Sequence, residues 1–154
     1  MKGIVITPEG EVSVRDFPEP LYKTVGAVVG GLIQVVNPKG LPEPFCMVVN
    51  EEGRLKKLPF HPIASFWYGT QRHKQPIVGT VVLLKETLNA DRELDLAGLE
   101  DTEISFLQRH ITEAKASKLP EEPEDAPIGI TVLSFNDEES FADAMHKLFG
   151  AGGW

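Results

Sequence analysis

The chain has 154 residues, 42% of them apolar and 25% charged, which is the balance of one ordinary globular domain with a single hydrophobic core. Its one cysteine, Cys46, excludes an internal disulfide framework and a cysteine metal cluster, and points to a reducing compartment; a cytoplasmic protein is expected. The net charge of -8 is unevenly spread: Gly53 to Lys85 holds six basic residues and no acid, whereas Glu86 to Trp154 holds sixteen acids and five bases. No apolar run approaches the roughly 18 residues of a membrane span, and the opening run Gly3 to Ile6 is too short for a signal-peptide core.

In chain order, Lys2 to Ile6 and Glu11 to Val14 are β-branched runs around Pro8-Glu9-Gly10, the pattern of a hairpin. Leu21 to Val29 follows Pro20 and stops at Gly30-Gly31, the punctuation of a short helix. Leu32 to Val36 and Phe45 to Val49 read as strands ended by Asn37-Pro38-Lys39-Gly40 and Asn50-Glu51-Glu52-Gly53. Arg54 to Leu58 alternates leucine with basic residues and is expected to be the return strand of that turn. Pro62 to Tyr68 suits one or two helical turns, with Pro62 where its missing N–H does no harm. Ile77 to Leu84, almost wholly apolar, is expected to be a strand buried on both faces.

Residues 88 to 98 are acidic and irregular. A helix follows from about Thr102 to Ser117, with Ile104, Leu107, Ile111 and Ala114 on one stripe. Residues 119–127 form a proline and acid linker, Ile128 to Phe135 a strand, and Asp137 to Phe149 a helix capped by Asn136. Without strict βαβ alternation, the fold class expected is α+β, a mixed or mainly antiparallel sheet with helices packed on one face. The whole chain, 1–154, is read as a single domain, in which 1–85 is a core, 86–118 an acidic loop and helix, 119–127 a linker and 128–154 a C-terminal strand plus helix.

The stretch V-V-N-E-E-G-R-L-K-K-L-P-F-H-P-I-A-S, followed after a polar loop by I-V-G-T-V-V-L-L, resembles a family known only as a domain of unknown function. The pattern is an opening strand, a helix leading to an I-x-V-V strand, an N-E-E-G turn, a Leu-Pro-x-Asn-x-x-Ala segment and an I-V-G-T-V strand. It is met by Met1 to Ile6, Leu21 to Val36, Asn50 to Gly53, Leu58 to Ala64 and Ile77 to Val81. The resemblance covers about residues 1–85. The family occurs in actinobacterial and firmicute genomes and their phages and plasmids, so it implies an accessory protein of a phage or mobile element, and it implies no chemistry. Where the pattern has Asn, this chain has His61 followed by Pro62.

The four histidines are scattered without the pairing of a metal site, and no P-loop, G-x-S-x-G or dinucleotide fingerprint is present, so no catalytic residue, metal or cofactor is expected. Glu51 and Glu52 sit side by side on a turn, where both stay solvated. The candidate ligand or partner site is the aromatic and basic segment Phe60, His61, Trp67, Tyr68, Arg72, His73 and Lys74, since aromatic faces beside cations suit an anionic ligand. The competing reading packs the rings in the core and leaves the Arg-His-Lys run as a solvated loop. The leading expectation is a non-enzymatic binding protein acting on a host protein or a small anionic ligand, in which Trp67→Ala or Arg72→Glu would abolish binding while the fold survives. Direct nucleic-acid binding and membrane association are disfavoured. Alternatives are an acidic DNA mimic that inhibits a nucleic-acid-binding host enzyme, using Glu100, Asp101, Glu103, Glu113, Glu121, Glu122, Glu124 and Asp125, and an enzyme of unrecognised type.

Overall fold

Three strands carry apolar side chains on both faces, and that double apolarity forces a layer on each side of the sheet. The computed structural model describes residues 1–69 and 75–122. Strand β1 (Lys2–Ile6) pairs antiparallel with β2 (Val12–Asp16), in register Ile4 to Val14. Helix α1 (Leu21–Val29), β3 (Ile33–Val36), β4 (Phe45–Asn50), helix α2 (Pro62–Tyr68), β5 (Val81–Leu88), β6 (Leu94–Ala97) and helix α3 (Asp101–Lys115) follow. The sheet order is β2-β1-β5-β4-β3, with β6 also on β5, and every pairing is antiparallel.

Strand β5 is the hub. Lys85 pairs with Phe45 of β4 on one edge and with Ala97 of β6 on the other, so β1 and β6 share one edge of β5 end to end. The junction is tight: the Leu99 N–H donates to the Lys2 carbonyl at 2.8 Å, and a Cβ on Gly98 would stand 2.7 Å from that of Met1. Only glycine fits there.

Alternation assigns the two cores. Ile4, Ile6, Phe45, Met47, Val49, Val81 and Leu83 face α2 and α3, meeting Ile63, Trp67, Leu107 and Ile111. Val5, Cys46, Val48, Val82 and Leu84 face the other way and meet Val25 and Val29 of α1. The expectation of an α+β fold with a mainly antiparallel sheet holds. The helices, however, divide between both faces rather than sharing one, because β1, β4 and β5 would otherwise leave Val5, Val48 and Val82 in water. The α3 stripe Ile104, Leu107, Ile111 and Ala114 is buried as its spacing requires.

Three local expectations are corrected. Arg54 to Leu58 is a compact turn, not a strand: Lys56 N–H donates to Glu52 O, Lys57 N–H to Arg54 O and Leu58 N–H to Gly53 O, and Lys57 has φ of 57°. Both edges of β4 are already taken by β3 and β5, so a return strand would find no partner. The strand expected from Ile77 starts at Val81, because Gly79 turns the chain with φ of 79° after Val78 makes a single bridge to Phe60. Residues 88 to 98 are not irregular but close a hairpin from β5 into β6, where Asn89 Oδ1 accepts the N–H of Asp91 at 2.8 Å and of Glu93 at 3.0 Å. The expected linker lies within the described residues only to Glu122, and Leu119 packs on the α2–α3 core. The strand and helix expected over 128–154 lie outside the described residues. Among the described residues no helix is long and apolar enough to cross a membrane.

Candidate functional site

The aromatic segment is held from within. His61 is fully buried at the N-cap of α2: its Nδ1 accepts the Ala64 N–H at 3.1 Å, and its Nε2 lies 3.0 Å from the Ile6 carbonyl. These partners fix the tautomer. Nδ1 must be bare to accept, so Nε2 carries the proton and donates to Ile6 O. Burial, working against the backbone hydrogen bonds, pushes the imidazole down to about 4. Its main-chain N–H donates to Ile77 O, and Ser65 one turn on accepts the Ile77 N–H at 2.9 Å, so the Leu-Pro segment pins β1 and the approach to β5 together.

Trp67 is 3% exposed and Tyr68 is also buried, while Phe60 is half-buried. Arg72, His73 and Lys74 lie outside the described residues. Of the seven candidates, then, His61, Trp67 and Tyr68 are brought together as core-facing residues, and their rings offer little surface to a ligand. What the sequence did not single out is Arg54. It is buried within the 51–57 turn, close enough to Tyr68 for each to act on the other's titration: burial pushes the guanidinium down to about 10 against Tyr68, and burial raises the Tyr68 phenol against Arg54. The Tyr68 hydroxyl donates to Gln75 Oε1 at 3.3 Å. Gly69 and Gln75, which bracket residues 70–74, therefore stand beside a turn that also carries the exposed Lys56 and Lys57.

The N-E-E-G turn has a structural task. The buried Asn50 amide donates to Val29 O at 3.0 Å and its oxygen accepts the Glu52 N–H at 2.7 Å, while Lys56 Nζ donates to Gly30 O at 3.3 Å. Carbonyls at the C-terminal end of α1 thus meet an amide and a cation, which suits the negative end of a helix. Glu51 and Glu52 are exposed, and Glu52 lies 3.9 Å from Lys56.

On the α3 side a row of stacked rings runs Trp67, His110, Phe106, Phe45, with centroids 5.5, 6.0 and 5.8 Å apart. His110 Nε2 sits 2.7 Å from Gly40 O, so the ring carries the proton there and ties the β3–β4 loop to α3. A shallow cavity of about 180 Å³ opens between Phe66, Trp67, His110 and Ser117. Phe106 and His110 are one helical turn apart, but Trp67 and Phe45 arrive from distant elements, so no local pattern announces the row. Of the acids offered for mimicry, Asp101 meets Lys2 at 3.2 Å, and Glu103 meets Lys85 at 2.9 Å in a mostly buried pair. Among the described residues no group of three or more His, Cys, Asp or Glu could hold a metal ion.

No curated protein and no solved structure matches the chain. A family model does, over residues 1–109, which takes in the whole six-stranded sheet, both capping devices around Asn50 and His61, and the first half of α3: the chain belongs to the family described as a domain of unknown function (DUF3846).

Proposed function

We propose that the protein is a non-enzymatic binding protein of the cytosol, an accessory product of a phage or mobile element, that acts on a host protein or a small anionic ligand through its basic edge. The observation that carries this reading is the turn of residues 51–57, which buries Arg54 beside Tyr68 and leaves Lys56 and Lys57 exposed. Exposed ammonium groups over a buried guanidinium make a local positive field that favours an anionic partner. Arg72, His73 and Lys74 extend the basic run in sequence. The rings of His61, Trp67 and Tyr68 serve this surface by anchoring α2 rather than by stacking on a ligand.

The test is charge reversal. Lys57→Glu, and separately Arg72→Glu, should abolish capture of the partner from host extract by the tagged full chain, with identification of both bound proteins and bound small molecules. Thermal unfolding of these variants should stay close to wild type. Wild-type capture by both variants would remove the basic edge from the mechanism. The acidic-mimic alternative draws less support, because Asp101 and Glu103 are already paired with lysines of the chain itself.

A further inference from the structure

A second concave surface lies apart from the basic edge. Helix α1 covers only part of its face of the sheet. Toward the end of β5 that face continues through Glu86, Leu88 and, across the hairpin, Leu94, which pairs with Leu88 in register. Leu88 and Leu94 are 66% and 67% exposed. Beside them the β3–β4 loop folds over to leave a cleft of about 660 Å³, whose lining includes Lys39, Glu43, Pro44, Phe45, Glu86 and Leu94. This is within the size range of small-molecule sites, roughly 300–1,000 Å³.

The loop wall is set before anything binds. Gly40 N–H donates to Trp67 O, Gly40 O meets His110 Nε2, Leu41 N–H donates to Pro38 O, and Phe45 N–H donates to Pro42 O. A Cβ on Gly40 would stand 2.7 Å from the Trp67 Cα, so the loop lies directly on α2. A wall fixed in this way lowers the ordering cost of binding.

The charge of the cleft selects its occupant. The lining holds two carboxylates against one ammonium: Glu86 is half-buried, Glu43 and Lys39 lie on the same cleft, and among the described residues no ion pair joins either carboxylate to Lys39 or to another cation. The negative charge of Glu86 is felt at Cys46 beneath, where it adds to burial in raising the thiol. The chain's own C-terminal part is a poor occupant by charge, since residues 123–154 carry six acids and one lysine.

We propose that this cleft binds a small organic cation, an alkylammonium whose charged head meets Glu86 and Glu43 and whose apolar stem lies on Pro44 and Leu94. The head gains a carboxylate already set in a partly dry wall, and the stem covers exposed leucine.

The probe is hexylammonium, compared with hexan-1-ol and hexanoate, titrated into the full chain while backbone amide shifts are followed by NMR. Hexylammonium should shift the amides of Lys39, Phe45, Glu86 and Leu94, and should bind at least tenfold more tightly than either control. Glu86→Gln should weaken it about tenfold with unchanged thermal unfolding, Leu94→Asn should weaken it severalfold, and Glu51→Gln, outside the cleft, should leave it unaltered. Blocked lysine amide carries the same head on a peptide stem: tighter binding than hexylammonium would assign the cation to a protein lysine, weaker binding to a free amine. Equal affinity for hexan-1-ol, full affinity in Glu86→Gln, or shifts confined to residues outside the cleft would each overturn the proposal.

Discussion

His61 offers the most demanding test of how this fold is held. Replacing it with alanine leaves the Ala64 N–H and the Ile6 carbonyl without their side-chain partner in a site with no solvent access, and opens a ring-sized void. An unsatisfied buried group costs about 1–3 kcal/mol and loss of an N-cap about 1 kcal/mol, so His61→Ala should cost roughly 4 kcal/mol, a large part of a typical domain's stability of about 5–15 kcal/mol. Asparagine has what the ring supplies, an oxygen that can accept from Ala64 N–H and an amide that can donate to Ile6 O. His61→Asn should therefore lose no more than about 2 kcal/mol. The same geometry sets a pH dependence. A proton on Nδ1 would face the Ala64 N–H, donor against donor, in keeping with a folded value of about 4 against an ordinary 6.5. Between these values the unfolded chain binds a proton that the native chain refuses, so the contribution is complete above pH 6.5 and is lost as pH falls through about 4. It amounts to about 3 kcal/mol. Urea unfolding followed by tryptophan fluorescence at pH 7.5, 6 and 5 measures both effects. A His61→Ala loss below about 1 kcal/mol, or an identical pH slope in His61→Asn, would refute the tautomer and the cap.

Other expected outcomes follow from the same kind of local accounting. Asn50→Ala should cost about 2 kcal/mol in urea unfolding, because Val29 O at the end of α1 and the Glu52 N–H both lose a buried partner. Burial works against the Glu103 charge, yet hydrogen bonds from Lys85 and the Glu100 N–H hold the carboxyl below its ordinary value, so Lys85→Met should destabilise by about 1–2 kcal/mol, with the loss shrinking as pH falls and Glu103 protonates. Cys46 is buried and its thiol is pushed up to about 12, so a thiol reagent at pH 8 should label it only at the rate at which the protein unfolds; rapid labelling of the native chain would place Cys46 outside the core.

The elements that could be read from sequence are those whose signals are local. Pro20 and Gly30-Gly31 bracket α1 to the residue, and the spacing of Ile104, Leu107, Ile111 and Ala114 defines the inner face of α3. Strand β6 escaped because Leu94-Asp95-Leu96 alternates over too few residues and contains an aspartate, a poor strand former; here Asp95 Oδ1 accepts the N–H of Leu96 and so occupies an edge donor that a strand would otherwise expose. The basic alternation of Arg54 to Leu58 misled for the opposite reason. It imitates a strand, but the availability of a pairing edge is a property of the whole sheet. At the candidate site the residue types were visible and their burial was not. A histidine beside a proline gives no hint that Ile6, fifty-five positions earlier, supplies a carbonyl, and nothing in residues 51–57 marks Arg54 as the basic residue that turns inward.

That inward turn changes which experiment can speak to function. From sequence, Trp67→Ala and Arg72→Glu look like equivalent probes of one aromatic and basic surface. In the fold Trp67 is a core residue: its ring stacks on His110, its carbonyl accepts the Gly40 N–H, and its backbone lies against Gly40. Removing a buried tryptophan costs about 3–5 kcal/mol, enough to empty the native state of a marginal domain and to loosen the 37–44 loop with it. Loss of binding in Trp67→Ala would therefore report on folding. Charge reversals at the exposed Lys57 and, further along the sequence, at Arg72 probe the basic edge itself. Their outcome can be compared with Trp67→Phe, which keeps an aromatic ring against His110 and should retain binding if α2 serves only as an anchor. A Trp67→Phe protein that unfolds like wild type yet fails to capture its partner would show instead that the indole itself is part of the recognition surface.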